Sequence, residues 1–236
     1  MNTENSTVVI THKIKSFNDV GKLLVAVDAI KRNIKPRKLQ LFLPYYPGAR
    51  QDRIMVHGEP MTSKVYADLI NNLNFNELII MDAHSDVSPA LIDNCINLDN
   101  HSFVNQVLHS IKSEEKLILI SPDAGSNKKI YKVAAEIPAF ETIVRCDKAR
   151  DLATGKILDF EVYAENLQGK DCLILDDICD GGGTFLGLAK SLKQKGAGKI
   201  YLAVTHGIFS KGLDVFEKDF EKVFCTDSFI DYEKYS

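Results

Sequence analysis

Two adjacent carboxylates, Asp176 and Asp177, close the apolar run Cys172-Leu-Ile-Leu175, and the turn Asp180-Gly-Gly-Gly-Thr184 follows. Paired carboxylates at a strand end can hold sugar hydroxyls. A turn built from Asp180, Gly181, Gly182, Gly183 and Thr184 exposes backbone N–H groups to a phosphate at a helix N-terminus. A sugar phosphate is the natural ligand of such a combination. The plain reading of a glycine-rich turn is a simple connection from strand to helix. Two acids before it and a hydroxyl after it shift the balance toward a ligand site.

A chain of net charge −3 carries no broad nucleic-acid footprint. To bind phosphates it must gather basic groups locally or use metal ions, so the positions of its cations are informative. Residues 44–53, Pro-Tyr-Tyr-Pro-Gly-Ala-Arg-Gln-Asp-Arg, combine loop formers with arginines. There Arg50 and Gln51 could grip a nucleotide phosphate and base, since arginine suits planar, bidentate phosphate contacts. Lys148 and Arg150, two apart on an extended segment, would point to one side. Taken alone, the arginine loop reads equally well as solvated surface, and Lys148 with Arg150 reads better as a solvated surface pair. His84, at another strand end, reads alone as a hydrogen-bonded histidine.

These side chains need elements to place them. Apolar runs predict strands near residues 7–14, 38–43, 78–82, 117–121, 140–146, 172–176 and 200–205. Helical patterns fall near 17–33, 62–72, 102–113, 128–136 and 184–195, the last closed by Gly196 as a left-handed cap. Such alternation argues for α/β architecture with mostly parallel sheets covered on both faces. Ligands in such sheets sit at the carboxyl ends of strands. Asp82-Ala-His84, residues 121–125, Asp176-Asp177 and Thr205-His-Gly207 lie at those ends. A polar break at residues 113–116 predicts two domains, 1–115 and 116–236.

The 236 residues include 45% hydrophobic and 26% charged residues, ordinary for a globular protein. No apolar run approaches membrane-spanning length, and the first residues show no secretion signal. Five cysteines without a C-x-x-C pair point to a reducing cytoplasm, not a disulfide framework or zinc knuckle. Neither a nucleic-acid nor a membrane partner is expected.

Taken in order, the segments 44–53, Met81-Asp-Ala-His84, Ser121-Pro-Asp-Ala-Gly125, Asp147-Lys-Ala-Arg150, 176–184 and Thr205-His-Gly-Ile-Phe-Ser210 resemble the ribose-phosphate diphosphokinases, or phosphoribosyl pyrophosphate synthetases. Each motif is moderately specific, and the ordered set is highly specific. The resemblance covers roughly residues 17–210 and implies an N-terminally shortened member. It implies two phosphoribosyltransferase-type domains, the first binding ATP and the second a ribose phosphate. It implies Mg2+-dependent transfer of the β,γ-diphosphate of ATP to the C1 hydroxyl of a 5-phosphorylated ribose, in a homo-oligomer. By position, Arg50, Gln51 and His84 would contact ATP, and His84 and Asp123 would lie at the metal. Lys148 and Arg150 would be the catalytic cations on a loop that includes Gly155. Asp176 and Asp177 would face the ribose hydroxyls, and Asp180, Gly181, Gly182, Gly183 and Thr184 would wrap the 5-phosphate.

The chain departs from this family at Gly181, where threonine is commoner. Loss of that hydroxyl removes one charge-assisted hydrogen bond of about 1.5–3 kcal/mol and opens space beside the sugar's 5-position. A larger acceptor such as ADP-ribose is therefore a candidate. Two competing functions are a phosphoribosyltransferase that consumes phosphoribosyl pyrophosphate and a non-catalytic regulatory homologue. The arginine loop argues against the first, and the retained cations and carboxylates argue against the second.

Overall fold

The structure is a computed structural model that describes residues 6–113, 115–150 and 157–231. The chain divides into two compact units, residues 1–100 and 101–236. The first holds four strands: β1 (Thr7–Thr11), β2 (Lys38–Leu43), β3 (Glu77–Met81) and β4 (Cys95–Leu98). They form one parallel sheet in simple sequence order. Helices α1 (Phe17–Asn33), α2 (Thr62–Asn71) and the short α3 (Val87–Leu91) make the crossovers. Right-handed crossovers running steadily one way place their helices on the same face. Accordingly Val20, Leu23 and Val27 of α1 and Ala67 and Ile70 of α2 share one core with Leu39, Leu41, Leu43, Leu78 and Ile80. The opposite face is only half-buried, and strand burial alternates along β2 and β3. Coverage of both faces, expected from the helix–strand alternation, does not hold in this unit, because its winding never reverses.

The second unit opens with α4 (His101–Ile111), followed by β5 (Leu117–Ser121), α5 (Asn127–Glu136), β6 (Phe140–Arg150), β7 (Ile157–Val162), β8 (Cys172–Cys179), α6 (Gly183–Gln194), β9 (Ile200–Gly207) and β10 (Lys222–Thr226). The sheet order is β10-β9-β8-β5-β6-β7, parallel except for the β6–β7 pair. From β5 the chain winds outward to β6 and β7, then returns to β8 on the other side. That reversal puts α5 on one face and α6 on the other. Leu117, Leu119, Leu173 and Leu175 pack with Val104 of α4 and Ile130 and Val133 of α5. Ile118, Ile120, Cys172 and Ile174 pack with Phe185, Leu188 and Leu192 of α6. Strands β5 and β9 are buried along their whole length, as near-continuous apolar runs in a two-faced sheet should be.

The unit border falls after Asn100, not near residue 115. Val104 and Val107 bind α4 to the second core, so the polar break at 113–116 is a helix-to-strand loop inside that unit.

Candidate functional site

The ends of β5 and β8 flank the reversal in the second sheet, the place where open α/β sheets present a crevice for ligands. The loop after β5 is held by short polar bonds. Ser121 Oγ donates to Asn127 Oδ1 at 2.8 Å, and Ser126 Oγ donates to the Asp123 carbonyl at 2.8 Å. The Ser126 N–H also donates to Asp123 Oδ1 at 3.1 Å. These bonds aim the Asp123 carboxylate at β6, where Lys148 Nζ donates to Oδ2 at 2.7 Å. Burial works to raise the Asp123 pKa, but the Lys148 hydrogen bond and charge, with the backbone donors, outweigh it and hold the carboxyl below its usual value.

Strand β8 runs three residues beyond the expected end, through Cys179, so the acidic doublet lies inside a strand. The pleat sends successive side chains to opposite faces. Asp177, buried, lies on the α5 side, where Lys129 Nζ stands 3.7 Å from its Oδ2. Asp176 shares a face with Cys172 and Ile174, the face that also takes Val144 and Cys146 of β6. The two acids stay linked, since the Asp177 N–H donates to Asp176 Oδ1 at 2.9 Å. Burial first, then the Asp177 charge and hydrogen bond, then Asp123, push the Asp176 pKa well above the ordinary carboxylate value. The doublet therefore holds a proton more readily than two separate acids would.

The glycine turn follows at once. Gly182 caps α6 in the left-handed region, with φ 72°. A β-carbon there would stand 2.4 Å from the Phe216 ring, so only glycine fits. The Gly182 N–H serves the Cys179 sulfur, whose pKa burial pushes up to about 12. The amides that open α6, at Gly183, Thr184 and Phe185, precede the first intrahelical bond, from the Leu186 N–H to the Gly182 carbonyl. Space beside Gly183 is open. A β-carbon on Gly181 would sit in ordinary contact with Lys211 and Ser210, so the space expected beside that glycine is bordered by the Lys211 stem. Asp180 and Thr184 are half-buried at the two ends of the turn.

At the end of β9, His206 is buried, with Nδ1 2.8 Å from Ser228 Oγ. Ser228 and Thr226 hydroxyls both donate to the Thr205 carbonyl, at 3.1 and 2.6 Å. This histidine holds the strand end in place. Arg150 is the last residue of β6, where the register with β7 shifts between Ala149 and Arg150. Its side chain, and Gly155, lie outside the described residues.

In the first unit, Arg50 and Gln51 are exposed on the loop after β2, and His84 is exposed after β3. Between them lies Asp52, only 4% exposed, a residue not among those expected at the site. It accepts from Arg53 Nε at 2.9 Å and from Ser85 Oγ at 2.5 Å, tying the arginine loop to the segment carrying His84. The Arg53 hydrogen bond, helped by Ser85 and by the charges of Arg53 and His84, outweighs burial and lowers its pKa. An acid set between two arginines was the available signal. Asp82 sits in the left-handed region at φ 41°, buried, with Asn100 Nδ2 donating to its Oδ2 at 3.0 Å. Asn100 is thus a buried partner of Asp82. His84 belongs to the first unit and Asp123 to the second. Among the described residues no group of three or more His, Cys, Asp or Glu forms a metal cage. Magnesium bound chiefly through substrate phosphates needs no such cage, only one or two carboxylates, and Asp123 is ionised and only partly enclosed.

Residues 2–73 match the family described as the N-terminal domain of ribose phosphate pyrophosphokinase, and residues 161–227 match the phosphoribosyl synthetase-associated domain. The ribose-phosphate pyrophosphokinase of Mycoplasmopsis pulmonis is 31% identical over 92% of this chain and 67% of its own length. That of Mycoplasma genitalium is 33% identical over 80% of this chain and 56% of its own length. The chain thus spans a little over half to two thirds of the length of these relatives. Phosphoribosylpyrophosphate synthetase from Mycobacterium smegmatis superimposes with a TM-score of 0.83 over 98% of this chain and 75% of that one. At 24% identity that likeness speaks to the α/β fold alone.

Proposed function

Because this chain belongs to the ribose-phosphate pyrophosphokinase family, we propose that it transfers the β,γ-diphosphate of ATP to the C1 hydroxyl of ribose 5-phosphate and releases AMP. One observation carries the reading. An ionised Asp123–Lys148 pair, the Asp176–Asp177 doublet and a glycine turn with open amides gather at the reversal of the second sheet.

In this reading the amides of Gly183 and Thr184 hold the 5-phosphate, and the α6 macrodipole favours its charge. Asp176 and Asp177 take the ribose hydroxyls, and a doublet that retains a proton can donate as well as accept. The C1 oxygen then faces the β-phosphorus, where its bond forms as the bond to the AMP oxygen breaks. Lys148 would stabilise the charge that gathers on the phosphoryl oxygens, and alignment does much of the remaining work. Arg50, Gln51 and His84 take the nucleotide in the first unit, with Asp52 and Ser85 holding their two segments together. Asp123 would hold Mg2+, which would supply neutralisation of the charge that develops on the triphosphate. Arg150 would add a second cation. Five free cysteines fit a cytoplasmic location, and among the described residues no helix is long and apolar enough to cross a membrane. A homo-oligomer is part of the reading, testable by light scattering.

A larger 5-substituted ribose such as ADP-ribose is the second reading, favoured by the open space beside Gly183. Mass analysis of products from ATP, Mg2+ and either acceptor separates the two. The expected products are AMP and a diphosphorylated ribose 5-phosphate. No AMP with any acceptor refutes the enzyme and leaves a non-catalytic homologue. Consumption of phosphoribosyl pyrophosphate with a free base, without ATP, points to a phosphoribosyltransferase.

A further inference from the structure

We propose that Lys211 is a specificity-determining residue that takes the acceptor's phosphomonoester, an inference that rests on residues 180–184 being the phosphate turn. A β-carbon at position 181 would stand 3.5 Å from Lys211 Cε, 3.7 Å from its Cδ and 3.8 Å from Ser210 Oγ. The end of the lysine stem therefore lies against the turn at the one glycine whose neighbourhood is neither closed by an aromatic ring nor empty. The backbone fixes this approach. Ile208 and Phe209 N–H groups both donate to the Cys179 carbonyl, at 2.8 and 3.2 Å, and Phe209 is held at φ 45°. The segment after β9 is thereby tied to the residue just before the turn, and Lys211 follows two positions later.

The charge balance says what such a lysine does. Lys129 and Lys148 are already engaged by Asp177 and Asp123. Lys211 is exposed and forms no ion pair among the described residues. Asp176, Asp177 and Asp180 all stand close in sequence to the turn and oppose an incoming anion. Backbone amides supply partial positive charge, whereas an ammonium supplies a whole one. A doubly charged monoester gains more from that cation than the singly charged phosphate of a diester. Lys211 therefore favours ribose 5-phosphate over acceptors whose 5-phosphate is esterified.

Calorimetric titration of the full chain with ribose 5-phosphate, inorganic phosphate, ADP-ribose and ribose tests this. Lys211→Met keeps the stem against Gly181 and removes only the charge. It is expected to weaken ribose 5-phosphate and inorganic phosphate roughly ten- to hundredfold, the size of one charge-assisted contact. Ribose binding should not change, and the preference over ADP-ribose should collapse. Lys211→Arg should keep most of the affinity. Thermal melts of both variants confirm folding. Unchanged phosphate affinity in Lys211→Met, or equal losses for ribose and ribose 5-phosphate, overturns the assignment. A wild-type chain that binds ribose 5-phosphate through Lys211 yet makes no AMP from ATP refutes the proposed reaction while leaving this assignment standing.

Discussion

In the first unit the strands run in sequence order and the helices cover one face; in the second the order reverses between β5 and β8 and both faces are covered. The polar residues at the strand ends differ in the same way. Around β3 they are matched among themselves: Asp52 with Arg53 and Ser85, Asp82 with Asn100, and the Ala83 N–H with Asn97. Around β5 and β8 the acids crowd one another, and burial and repulsion raise Asp176. A matched cluster behaves as scaffold. A cluster left with like charges in contact stores a cost that a ligand can relieve, which is why perturbed acids mark candidate sites. Mutations should therefore injure stability in the first unit and chemistry in the second.

The largest expected effect is on turnover. Lys148→Ala removes the cation paired with Asp123, a pair whose side chains are 21% and 32% exposed. A cation used mainly in the transition state is worth a few kcal/mol, so kcat should fall about 10²–10³-fold. A partly exposed ion pair contributes about 1 kcal/mol or less, so the melting temperature should barely move. Steady-state kinetics beside a thermal melt checks both halves. Near-normal turnover breaks the comparison at its functional end.

Asp52→Asn probes the other end. Its carboxylate is buried and accepts hydrogen bonds from two side chains, so the variant should lose about 1–3 kcal/mol at neutral pH, read by urea unfolding. Its kcat should change far less than that of Lys148→Ala. The folded pKa is lowered, chiefly by Arg53. Its stabilisation is thus present above the unfolded value of about 3.9 and is lost as pH falls through the folded value. The gap between wild type and variant should close as the solution is acidified below about pH 4. A gap that persists in acid would mean packing, not charge, is the cause.

Much of this was legible because it is local. The runs Leu117–Ser121 and Lys38–Leu43 and the helix Phe17–Asn33 agree with the sequence pattern at both ends. The doublet and the glycine turn could be picked out by spacing alone. What escaped depends on partners far along the chain. Cys95–Leu98 is too short to announce itself, and it is a strand because β3 pairs with it. β7 exists as the antiparallel partner of β6, and β10 as the edge beside β9. Two aspartates mid-strand contradict strand propensity, yet pairing with β9 carries β8 through them. Lys129 against Asp177 and Ser85 against Asp52 join residues dozens of positions apart, which no spacing rule reveals.

The smallest effect is the sharpest test, because its sign is opposite to that of Asp52. Asp176 has its folded pKa raised, by burial first and Asp177 second. A raised acid favours folding only while it is protonated. Its contribution is complete below the unfolded pKa of about 3.9 and is lost as pH rises through the folded value. At neutral pH burial and repulsion from Asp177 therefore make Asp176 work against the fold. Asp176→Asn removes that repulsion and keeps the shape, so the melting temperature at pH 7 should rise by about 2–4 °C, the shift about 1 kcal/mol makes in a chain of this size. The rise should vanish toward pH 4, while affinity for ribose 5-phosphate falls through loss of a hydroxyl acceptor. Stabilisation paired with weakened binding identifies a residue kept for its ligand at a cost to the fold. A melting temperature that drops at pH 7 would instead make Asp176 a structural acid like Asp52 and erase the contrast between the two sheets.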